Sequence, residues 1–158
     1  MSTIQGLPVH VLLVHFVVVL VPLTAALAIL SALWPAARRR LIWLIVILAT
    51  AIVIITPLTT EAGEWLEHRI HQTDVLREHT ALGDTMLYFA LSLLLGTVLL
   101  AFAHRREQRQ RPLPASITAA IAAIVVVSSG AATIQVYRIG ESGARSAWSD
   151  EGAAPANP

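Results

Sequence analysis

Four long apolar stretches alternate with short polar ones along this chain: residues 9–34, 41–59, 85–103 and 115–137. A helix needs roughly 20 mainly apolar residues to cross the hydrocarbon core, and each stretch approaches or exceeds that length. "WPAARRR" separates the first two and "HRREQRQRPLP" the last two, while a longer polar segment, 60–84, joins the middle pair. Short connections favour antiparallel neighbours, so the pattern predicts an all-α, integral membrane, up-down-up-down four-helix bundle. Residues 1–146 form one transmembrane domain in this reading, and the polar, Pro/Ala-rich tail 147–158 is expected to be disordered. The start, "MSTIQGLP", lacks the basic region of a signal peptide, so the first stretch reads as a retained span. Pro22 and Pro57 are expected to kink their helices. "AAIAA" and "SSGAAT" offer small residues for close helix contact.

Composition agrees. Of the 158 residues, 56% are hydrophobic and 13% charged, against about a quarter charged in a soluble domain. A net charge of +1 gives no electrostatic footprint for nucleic acid. The absence of cysteine excludes disulfides, thiol catalysis, iron–sulfur clusters and covalently attached haem. No P-loop, dinucleotide fingerprint or Ser-His-Asp arrangement occurs, and no catalytic residue is assigned.

Charge placement sets an orientation. Residues 35–40 and 104–114 hold seven arginines and one acid, Glu107, whereas 60–84 alone carries six acids. The positive-inside rule places the arginine-rich connections in the cytoplasm and both termini outside a bacterial cytoplasmic membrane.

The polar residues inside the spans are the candidate chemistry. Counting outward from the inner helix ends at 1.5 Å per residue, His10, Glu64, His79 and Arg138 fall at one level, about 36 Å up. His15, Glu61, Asp84 and Gln135 fall near 30 Å on the same rise. Four helices thus each bring a polar group to two adjacent layers at the outer mouth. Residues 61–71 are expected to extend the second helix, with Glu61, Glu64, His68 and His71 on one face. "EWLEHRIHQ" also reads as an exposed amphipathic surface, which leaves His68 and His71 as ligands or surface residues. Gly83 shares a face with His79 and would let a neighbour or ligand approach. His10 and His15 lie about 140° apart around a helix. Of the two, His15 is the deeper, where an ionisable group is costly. It is expected to point inward to Glu61, Asp84 or Gln135, and His10 to be the more dispensable.

Three readings stay open. The first is a divalent transition-metal site drawn from His10, His15, His79, Glu61, Glu64 and Asp84, since imidazole and carboxylate suit such ions. The second is non-covalent haem b, or a docked quinone, for which His10 or His15 against His79 is the ligand pair, with Glu64 beside them. The third is a structural or partner-binding subunit without cofactor. The lipid bilayer is a partner in all three, and a redox or membrane-protein partner fits the second and third.

"GLPVHVLLVHF", "TTEAGEWLEHR", "EHTALGD" and "VYRIGESGAR", in this order across residues 6–146, resemble an uncharacterised bacterial membrane-protein family known as domain of unknown function 2231. The resemblance implies a four-helix membrane protein with no established activity. It also implies a kinship with redox chemistry, because some relatives are joined to redox domains and the arrangement is similar to that of membrane b-type cytochromes. The family pattern carries over to His10, His15, His79 and Gly83. It departs at Val11, where proline is usual, and at Ile139, where histidine is frequent, so no ligand role carries over to position 139.

Overall fold

The computed structural model describes residues 3–4, 7–67 and 74–149. A two-residue antiparallel pair, β1 (Thr3–Ile4) with β2 (Leu7–Pro8), precedes four helices: α1 (Val9–Leu33), α2 (Pro35–Glu67), α3 (Asp74–Gln108) and α4 (Ala115–Ser149). All four are long and apolar enough to cross a bilayer. Each packs on its neighbours in sequence and α1 closes against α4, while α1 and α3 touch only lightly across the diagonal. The result is an up-down four-helix membrane bundle.

The helices outrun the apolar stretches. Residues 35–40, read as a connection, are the start of α2. Proline is well suited to a first helical position, where its missing N–H costs no bond, and the Ala-Ala-Arg-Arg-Arg that follows is good helix former. At the opposite end α2 continues to Glu67, α3 begins at Asp74 rather than near 85, and α4 runs to Ser149 rather than 137. Hydropathy marks only the part of a helix that lies in hydrocarbon. Once nucleated by that part, the helix propagates into polar sequence as long as one side finds something to pack on. The extension predicted over 61–71 is helical to Glu67, while 68–73, with His68 and His71, lies outside the described residues. So does 150–158 of the tail, whose first three residues belong to α4.

Two apolar clusters fill the interior. Near the chain ends, Val21, Ile52, Met86, Leu93 and Val136 pack together. Near the arginine-rich end, Ile42, Ile45, Leu100, Ile121 and Val125 do so. Bulky side chains such as Phe16, Ile47, Val127 and Ile134 lie outside, more than half exposed, where they meet lipid. Close approach of α3 and α4 depends on Gly96: a Cβ there would sit 3.0 Å from Ser128 Oγ. Helices α1 and α2 continue through Pro22 and Pro57.

A paired-histidine pocket at one end of the bundle

At the end where α1 and α3 begin and α2 and α4 finish, the helices splay around a cavity of about 680 Å³. That is within the range of small-molecule and cofactor sites. His10, His15, His79, Glu64, Asp84 and Gly83 all line it. Among the described residues the lining does not include Glu61, which is exposed. Gln135 is buried and committed elsewhere: its amide donates to the Leu82 carbonyl (3.0 Å) and to Thr85 Oγ1 (2.8 Å), tying α4 to α3. Arg138 is exposed.

The two histidines on opposite helix pairs are held in the same way. His10 Nδ1 lies 2.9 Å from the Thr59 carbonyl. A carbonyl only accepts, so Nδ1 carries the proton. His79 Nδ1 lies 3.0 Å from Ser142 Oγ, and that hydroxyl donates its own proton to the Ile139 carbonyl at 2.9 Å. Ser142 must therefore accept from His79. In each neutral ring the bond at Nδ1 leaves Nε2 with a free lone pair. Both rings border the cavity.

Each ring also rests on a glycine. A Cβ on Gly63 would come within 3.0 Å of His10 Cε1 and Nδ1, and a Cβ on Gly143 within 3.0 Å of His79 Cε1. The supporting carbonyl stands one helical turn earlier in both cases, Thr59 before Gly63 by a direct bond and Ile139 before Gly143 by way of the Ser142 hydroxyl. One device is thus used twice, α1 upon α2 and α3 upon α4. Its trace in the sequence is the repeated Glu-Ala-Gly (61–63) and Glu-Ser-Gly (141–143). Reading the residues singly found both histidines but missed Thr59, Gly63, Ser142 and Gly143. That short repeat was the signal that could have found them.

His15 stands differently from the expectation. It borders the same cavity, so a single helix does present both His10 and His15 to it, but His15 is exposed while His10 is half-buried and fixed to α2. Among the described residues no three His, Asp or Glu side chains gather into a metal-binding group. The chemistry this arrangement offers is two oriented imidazole nitrogens facing a mainly apolar hollow, with carboxylates at the rim.

A four-span membrane bundle with a paired-imidazole pocket is the class these observations define. The chain belongs to the family described as "Predicted membrane protein (DUF2231)", which it matches over residues 6–154. Neither a curated protein nor a solved structure matches it.

Proposed function

We propose that the pocket holds a b-type haem between His10 and His79 and that the protein is an electron-transfer component of the membrane. The observation that carries this reading is the duplicated support of the two rings: each Nδ1 is bonded to a neighbouring helix, each ring lies on a glycine, and each Nε2 is left with its lone pair. His10 and His79, from different helices, would hold the haem iron through their imidazole nitrogens. A lone divalent ion such as zinc draws three or four protein ligands. The cavity volume and its mainly apolar wall suit a flat, hydrophobic group. When bound, the haem supplies reversible one-electron chemistry at iron.

The chain's own residues do the rest. Thr59 and Ser142 fix the tautomer and raise the basicity of the ligating nitrogens. Val14, Val17, Met86 and Val136 keep water from the pocket wall. Glu64 and Asp84 keep its mouth polar. With the arginine-rich turns in the cytoplasm, the pocket opens on the outer side, where a redox partner would reach it.

The test is the absorption spectrum of the full-length protein purified after expression with adequate haem. The expected result is a Soret band with the visible bands of six-coordinate, low-spin iron, lost in His10→Ala and in His79→Ala. A colourless protein that also refuses added haemin would overturn the proposal. If such a protein carried stoichiometric metal, the metal reading would take its place.

A further inference from the structure

The opposite end of the bundle is rich in arginine. Seven arginines are concentrated there, with Glu107 the one acid among residues 35–40 and 104–114. That acid is spent: buried Arg38 donates to both Glu107 oxygens, at 2.9 and 3.1 Å. The remaining arginines have no carboxylate from these two segments to pair with.

Three of them surround one hollow. Arg106, Arg109 and Arg111 border a shallow surface hollow at the turn between α3 and α4. The turn folds back on itself. Gln110 takes a left-handed φ of 56°, and the amides of Gln110 and Arg111 bond to the carbonyls of Glu107 and Arg106 at 3.1 and 3.0 Å. Arg106 Nε donates to the Arg111 carbonyl at 3.1 Å, so one guanidinium is held in place before any ligand arrives. Like charges brought together in a fixed fold are costly unless an anion joins them. Planar guanidinium groups are the side chains best matched to phosphate oxygens.

The hollow also lies beside an aromatic stack. The Arg105 guanidinium stacks over the Trp43 ring, 4.9 Å from its centroid. Trp43 and Trp34 are both about half exposed. Exposed tryptophans beside arginines mark the headgroup level of a bilayer. The three-arginine hollow begins one residue beyond that stack.

We infer that Arg106, Arg109 and Arg111 form a binding site for the phosphate headgroup of an anionic phospholipid. The site is independent of the paired-histidine pocket and of what that pocket holds.

The test is a titration of the detergent-purified full chain with short-chain phosphatidylglycerol, read by native mass spectrometry. Short-chain phosphatidylcholine and glycerol phosphate are titrated in parallel. Phosphatidylglycerol should bind at one equivalent and at least tenfold more tightly than either comparator. Arg109→Gln with Arg111→Gln should weaken it roughly 30-fold, at about a fivefold loss for each arginine near a lipid phosphate. Both side chains are exposed, so helix content by circular dichroism should not change. Arg39→Gln with Arg40→Gln, equal in charge change but outside the hollow, should leave binding within about twofold. Equal losses in the two double variants would overturn the site in favour of a diffuse field. Glycerol phosphate binding as tightly as the lipid would overturn the lipid assignment.

Discussion

Alanine at Gly63 places a methyl carbon 3.0 Å from the His10 ring, and alanine at Gly143 does the same to His79. Within a helix the same change is intrinsically favourable by about 1 kcal/mol. The two effects separate in measurement. Gly63→Ala and Gly143→Ala should keep or raise the melting temperature while haem affinity drops about 10-fold or more, the scale seen when a ligand loses its orientation. Gly130, where a Cβ meets nothing within 4 Å, is the control. Gly130→Ala should leave the Soret absorbance per protein unchanged. The proposal also separates the histidines. His10→Leu should abolish haem binding, whereas His15→Leu should retain it and shift at most the band positions. Depth in the membrane favours His15; the bond of His10 Nδ1 to the Thr59 carbonyl on α2 favours His10, and a bond between helices is not visible when residues are counted along one of them.

Helix ends show how much could be read in advance and what escaped. The four apolar stretches located all four helices, and antiparallel packing followed from the short connections. The ends did not follow, because residues 60–67, 74–84 and 138–149 are polar and become helical through the packing that forms the pocket. The level count still brought His10, His79, Glu64 and Asp84 to one mouth, since rise per residue is the same whatever the side chain. At the other end of the bundle, the start of α2 is joined to the end of α3 by Arg38 and Glu107. The guanidinium is 6% exposed and the carboxylate 42%, which makes the two truncations unequal. Glu107→Ala strands a buried cation and should lower stability by about 2 kcal/mol, the scale of a charged hydrogen bond. Arg38→Met leaves only a solvated carboxylate behind and should cost less than half as much. Thermal melts of both variants in the same detergent check the order, and equal costs would mean the pair contributes only packing.

At the scale of the whole molecule the two ends differ in charge, and that difference predicts how the bundle would lie in a membrane. One end carries seven arginines in residues 35–40 and 104–114 against one acid; the other carries Glu61, Glu64, Asp74, Glu78, Asp84 and Glu141 among its helix extensions. The rule that orients spans counts basic residues in short connections and gives acids little weight, so the pairing of Arg38 with Glu107 in the folded state does not weaken it. An even number of spans puts both termini on one side. A cytoplasmic-only reporter fused after residue 108 should therefore be active, and a reporter active only outside should work when fused after residue 158. On the electron-transfer proposal the orientation would also decide which compartment supplies a redox partner, because the paired-histidine pocket lies at the end bearing the termini. Activity of an outside-only reporter at residue 108 would invert this. The two imidazoles would keep their geometry, but their redox partner would have to be cytoplasmic, and the three-arginine hollow would face the outer leaflet.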